Sequence, residues 1–101
     1  MNEDYVEAVL SVVERIPPGR VMSYGAVAEV VREQTGRGSA RTVGNVMARF
    51  GGAVPWHRVV AVDGRLQPGH EIEARQRLRS EGVPFRGDKV DMSRAAWFPE
   101  A

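Results

Sequence analysis

Ser39-Ala40-Arg41-Thr42-Val43-Gly44-Asn45-Val46-Met47-Ala48-Arg49-Phe50 is the stretch on which the fold turns. Ser39 is a natural N-cap, because its hydroxyl can accept a hydrogen bond from an otherwise orphaned N–H of the first turn. Ala40, Val43, Gly44 and Met47 then fall at i, i+3, i+4 and i+7, which predicts a helix from about Ala40 to Phe50 with that face inward. Gly44 on the inward face predicts close approach of a neighbouring helix. The outward face carries Arg41 and Asn45, four residues apart, with Arg49 a turn further on. Immediately upstream the pattern repeats. Ser23 can cap a helix from about Tyr24 to Glu33, with Tyr24, Val27, Ala28 and Val31 as its buried stripe. The polar, glycine-containing segment 34–38 joins the two. Two short helices on such a turn predict a helix-turn-helix over about 23–50, whose outward side chains can reach base edges or phosphates.

Working outward, Asn2 or Asp4 can cap a first helix running to about Ile16, striped by Tyr5, Val6, Val9, Leu10, Val13 and Ile16. Pro17-Pro18-Gly19 ends it. Downstream, Gly51-Gly52-Ala53 is a flexible connector into a Pro55-Trp56-His57 corner. Arg58 to Val62 reads as a strand, Asp63-Gly64 as a tight turn and Arg65-Leu66-Gln67 as the return strand. A hairpin there, over about 58–67, would be the wing of a winged helix. A fourth helix is expected from about Glu71 to Glu81, stopped by Gly82 at C′. Residues 83–92 read as extended, and Ala95-Ala96-Trp97-Phe98 is expected to anchor the tail by burying both aromatics. The fold class is therefore mainly α with a small β hairpin, a single domain over 1–101.

Composition narrows the function. The 101 residues are 43% hydrophobic, enough for one modest core, and no apolar run is long enough to span a bilayer. The start Met1-Asn2-Glu3-Asp4 is acidic and lacks the regions of a signal peptide, so a cytoplasmic, nucleoid-associated location is expected. There is no cysteine, which removes disulfides, thiolate metal sites and any cysteine nucleophile. The two histidines, His57 and His70, are not at metal-ligand spacing with carboxylates, so neither a metal nor a cofactor is expected. Net charge is only +1, but it is segregated: residues 1–15 carry −3, residues 16–59 carry +4, and residues 60–101 balance. Thirteen of the fourteen basic residues are arginine, suited to binding phosphate and stacking on bases, although a GC-rich genome gives the same bias.

Four motifs, in order, carry a family resemblance: Pro18-Gly19-Arg20-Val21-Met22-Ser23-Tyr24, Ser39-Ala40-Arg41-Thr42-Val43-Gly44-Asn45-Val46-Met47, Pro55-Trp56-His57-Arg58-Val59 and Glu81-Gly82-Val83. They resemble the C-terminal domain of the O6-alkylguanine-DNA alkyltransferases, whose signature is Pro-Cys-His-Arg-Val. Trp56 stands where that family has its nucleophilic cysteine, and an indole N–H is only a donor. The 48–54 connector is also shorter than in the active enzymes and lacks their relay Asn. The pattern is similar to the alkyltransferase-like proteins, which also lack the N-terminal ribonuclease-H-like domain of the full enzymes.

The resemblance implies a non-enzymatic sensor of O6-alkylguanine in double-stranded DNA. It would bind from the minor groove, flip the base into a pocket, and flag it for nucleotide excision repair proteins, acting as a monomer without a membrane. It implies DNA contacts from Ser23, Tyr24, Arg41, Thr42, Gly44 and Asn45. Arg41 would be the finger that fills the gap left by the flipped base, and Tyr24 would press on the phosphate 3′ of it. It implies a lesion pocket from Met47, Pro55, Trp56, Val59, Gln67, Pro68 and Gly69, with Arg65 or His70 replacing a basic residue that some relatives place near Gly69. His57 and Glu81 would be the remnant of the proton relay, reduced to a structural hydrogen bond. Each residue also has a plainer role: Trp56 as core, Arg41 as an exposed helix arginine, Tyr24 as core at a helix start, Ser23 as a cap.

Two other functions are compatible with parts of the pattern. A winged-helix transcription regulator would read undamaged DNA through Arg41 and Asn45, usually as a dimer. A hydrolase or glycosylase would need His57 with Asp63 or Glu81, but no nucleophile elbow, carboxylate pair or metal constellation supports it.

Overall fold

A computed structural model describes residues 2–100. Asn2 caps α1 (Glu3–Arg15), its side chain accepting from the backbone of Asp4 at 2.8 Å and Tyr5 at 3.3 Å. The acidic first turn suits the positive end of the helix dipole. β1 (Met22–Ser23) follows, and Ser23 caps α2 (Tyr24–Thr35) by accepting from Ala26 N at 3.1 Å. Gly36, in the left-handed region at φ 80°, stops α2 two residues later than its apolar stripe predicts. Ser39 caps α3 (Ala40–Phe50) through a capping box in which Thr42, not an acid, returns the bond to the Ser39 N–H at 3.0 Å.

The α3 face is rotated from the expected one. Val43, Val46 and Met47 are buried, whereas Ala40 is exposed and a side chain added at Gly44 would meet only open space. The larger Val46 side chain takes the inward position because it removes more apolar surface from water than an Ala or Gly can. The outward side of α3 is thus a run of small residues, Ala40, Gly44 and Ala48, interleaved with Arg41 and Asn45.

Two 3₁₀ turns, Gly51–Ala53 and Trp56–Arg58, follow α3 and lead into β2 (Val59–Val60). The expected wing over 58–67 does not form. β2 pairs in parallel with β1, Met22 opposite Val59 and Ser23 opposite Val60, and residues 65–67 are not a strand. Asp63-Gly64 instead closes a local turn, with Gly64 N–H donating to Ala61 O at 2.8 Å and Ala61 N–H to Arg65 O at 2.9 Å. The antiparallel hairpin lies later, β3 (Phe85–Arg86) against β4 (Lys89–Val90). Between them α4 (Glu71–Ser80) ends as expected at Gly82, with Val83 N–H returning to Leu78 O at 3.0 Å. A last helical turn, α5 (Met92–Ala95), leads to a tail held against residues 20 and 21: Trp97 N–H donates to Val21 O at 2.8 Å, and Arg20 Nε to Ala95 O at 3.1 Å. Of the two tail aromatics, Trp97 packs on the core and Phe98 remains 58% exposed.

The core has two lobes. Val9, Val13, Val27, Val31, Val43 and Val46 join α1, α2 and α3, while Val21, Val60, Leu78, Val83 and Val90 join α4 to the C-terminal hairpin. The short β1–β2 pair stitches them together, and Trp56 packs against both.

Candidate nucleic-acid interface

Arg41 and Asn45 are exposed on the outward side of α3, and Arg41 makes no hydrogen bond or ion pair among the described residues. Thr42 is partly buried, and its hydroxyl serves the capping box and meets the Tyr5 hydroxyl at 2.5 Å, so it braces α3 against α1. Ser23 is buried as the α2 cap. Tyr24 at the start of α2 is half-buried, and that burial pushes its phenol above the usual range. It lines a hollow of about 740 Å³ together with Arg65, Leu66, Pro68, Arg75 and Lys89.

Beside the C-terminal end of α3 lies a cleft of about 420 Å³. Of the residues expected in a lesion pocket, Met47, Trp56, Gln67 and Pro68 line it. Pro55, Val59 and Gly69 do not: Val59 is buried in the β1–β2 pair, and Gly69 sits in the loop before α4. The sequence missed Ala48, Gly51, Gly52 and Glu73, which complete the lining. His70 is in the cleft, its ring edge-on to Trp56 at 5.6 Å, whereas Arg65 lies in the Tyr24 hollow. The Arg77 guanidinium, held by Glu73 at 2.6 Å, sits over the Trp56 ring at 5.6 Å. This cation–π contact joins residues 21 positions apart, with no local signal in sequence. The lining thus comes from four pieces: the end of α3 with its glycine turn, the Trp56 corner, the 67–70 loop and the start of α4.

The corner itself is pinned from below. His57 Nε2 lies 2.8 Å from Glu81 Oε2, and Arg58 grips the same carboxylate with Nε at 3.1 Å and Nη2 at 2.8 Å. Arg58 Nη1 also donates to Ile16 O at 2.9 Å, and Gly19 N–H to Glu81 Oε1 at 3.4 Å. Burial pushes the Glu81 carboxyl up, but the bonds from Arg58, His57 and Gly19 outweigh it and hold it down at about 2. His57 Nδ1 is buried and has no hydrogen-bond partner among the described residues. The expected His57–Glu81 pair is present, and Arg58 makes it a three-residue lock. A carboxyl depressed in the folded state stabilises fully above its unfolded value near 4.5, and that stability drains as pH falls towards 2. Urea titrations between those limits are expected to show the native chain losing on the order of 3 kcal/mol more than Glu81→Gln. Parallel losses in both would remove the lock as the cause.

The family profile of the 6-O-methylguanine DNA methyltransferase DNA-binding domain matches residues 4–83. The chain belongs to this family. It is 35% identical to the DNA base-flipping protein of Escherichia coli K12 over 101 aligned residues, covering 95% of this chain and 76% of that one. Its structure is similar to S. pombe Atl1 in complex with damaged DNA containing O6-carboxymethylguanine, at a TM-score of 0.79 and 27% identity, covering 98% of this chain and 99% of the other. It is also similar to the R37L variant of the Mycobacterium tuberculosis O6-methylguanine methyltransferase, at a TM-score of 0.64 and 29% identity, covering 80% of this chain and 50% of that one. Within the family, the 101 residues of this chain hold no cysteine to accept an alkyl group. No helix of the described residues is long and apolar enough to cross a membrane.

Proposed function

We propose that the chain is a non-enzymatic sensor of O6-alkylguanine in duplex DNA. The observation that carries this reading is the cleft beside Trp56, open next to the end of the outward α3 face that bears Arg41 and Asn45. The small residues Ala40, Gly44 and Ala48 let α3 approach a narrow minor groove closely. Arg41 enters the duplex and stacks in place of the displaced base. Tyr24 and the cap at Ser23 meet the backbone, and the guanine swings into the cleft with its alkyl group against Trp56 and Met47. Unstacking costs a few kcal/mol, offset by phosphate contacts and by burial of the adduct. Trp56 offers an N–H donor and a π face but no nucleophile, so the lesion is held and not repaired. The bound monomer then marks the site for excision repair proteins in the cytoplasm.

The test is a fluorescence titration of matched duplexes with and without O6-methylguanine. The damaged duplex is expected to bind at least tenfold tighter, and equal affinities would sink the reading. Arg41→Ala is expected to cost about 10- to 100-fold in lesion affinity. Arg79→Ala, which removes a guanidinium lying over Phe85 on the far lobe, is expected to cost about twofold or less. With a labelled alkyl group, no label is expected to move to protein.

A further inference from the structure

We propose that the groove between α1 and the C-terminal end of α3 docks a basic amphipathic segment of a protein partner. Two adjoining hollows of about 530 and 430 Å³ share Glu7 and run along this side of the molecule. Their floor is apolar: Val6 and Leu10 of α1, Phe50 at the end of α3, and Val54 after it. Phe50 is 40% exposed there, although nothing in the fold requires a phenyl ring in solvent. The rim carries Glu3, Asp4, Glu7 and Glu14, all exposed and none in an ion pair among the described residues. The helix dipole accounts for acids in the first turn of α1 but not for Glu14, which sits at the negative end, where a carboxylate is disfavoured. Arg49 borders the groove, yet its guanidinium lies over the Phe50 ring at 5.4 Å and not on a carboxylate.

Charge decides the occupant. Residues 1–15 carry −3 and repel a phosphate backbone, while the helix-turn-helix lies in the segment that carries +4. An apolar floor inside an acidic rim fits a helix that sets one or two apolar side chains on Leu10 and Phe50 and lays lysines or arginines along the rim. Apart from Arg49 at its border, no groove residue belongs to the Trp56 cleft or to the outward α3 face, so such a partner can dock while DNA is bound. The inference rests on the DNA-sensor reading only for that ternary complex; the groove is tested on the free chain.

The probe is a short synthetic amphipathic helix, leucine on one face and lysine on the other, compared with the same peptide carrying glutamate for lysine. Titrated into the isotope-labelled full chain, the lysine peptide is expected to shift amides in 3–14 and 49–54 and to bind about tenfold tighter than the glutamate peptide. Glu7→Lys with Glu14→Lys, and separately Phe50→Ser, are each expected to weaken it about tenfold, while Phe50→Ser leaves affinity for the O6-methylguanine duplex within about twofold and the charge reversal does not lower it. Equal affinities for the two peptides, shifts centred on Arg41, or a dimer of the chain filling the groove would overturn the proposal. A chain that binds the peptide here but does not discriminate damaged DNA would leave the groove standing and the sensor reading fallen.

Discussion

Replacing Glu81 with alanine is expected to lower unfolding free energy by about 3 kcal/mol and the melting temperature by roughly 10–20 °C. Few side chains in this molecule hold together more of it. Glu81 follows α4, its partners Arg58 and His57 lie in the 3₁₀ turn beside Trp56, and its fourth bond reaches Gly19 after α1. The His57 side chain is 6% exposed and that of Arg58 15%, so removing the carboxylate strands a poorly hydrated guanidinium and an imidazole. That desolvation, more than the lost attraction, sets the size of the effect. Glu81→Gln keeps an acceptor for one donor and is expected to lose less. Urea denaturation near neutral pH measures both. A loss below about 1 kcal/mol for Glu81→Ala would mean that water reaches the lock freely. The functional consequence follows from place: the lock lies under the Trp56 corner, so Glu81→Gln is expected to blunt discrimination of damaged DNA at temperatures where the chain remains folded.

The helix-turn-helix was legible because its determinants are local. Ser23 and Ser39 cap the helices they precede, and each helix writes its buried face at i, i+3 and i+4. The error on α3 was one of phase: with Gly44 and Val46 both compatible with an inward stripe, only the packing of α1 and α2 selects the valine. Non-local pairings were not legible. Val59-Val60 has the composition of a hairpin strand, but its hydrogen-bond partner is Met22-Ser23, on the same core seam. The cleft was half-read. Met47 and Trp56 lie in the family motifs, and Gln67, Pro68 and His70 in the loop the resemblance placed beside them, whereas Glu73 and Arg77 reach the cleft because α4 packs its first turns beside Trp56. That packing depends on Ala74 and Leu78, whose spacing announces a helix but not its neighbour.

Gly64→Ala is expected to destabilise the chain by roughly 2–5 kcal/mol, for a reason that corrects the reading of Asp63-Gly64 as a hairpin turn. Gly64 is at φ +92°, which already disfavours a side chain. The second cost is specific to this fold. Val90 N–H donates to Gly64 O at 2.9 Å, so the turn lies flat on β4. A Cβ at Gly64 would overlap the Val90 carbonyl oxygen and lie 3.0 Å from its nitrogen, and both are backbone atoms that cannot swing aside. Gly82→Ala separates the two costs, because Gly82 has a similar φ of +82° but open space where its Cβ would go. The Gly82 variant is expected to lose about 1–2 kcal/mol, and thermal melts of the pair measure the difference. If the two losses were equal, the contact with Val90 would contribute nothing and the turn would be free to lift. If Gly64→Ala loses more, as expected, the residues after Trp56 are anchored to the C-terminal hairpin by backbone contact, and Leu66, buried just beyond, is held with them next to Gln67, which lines the cleft.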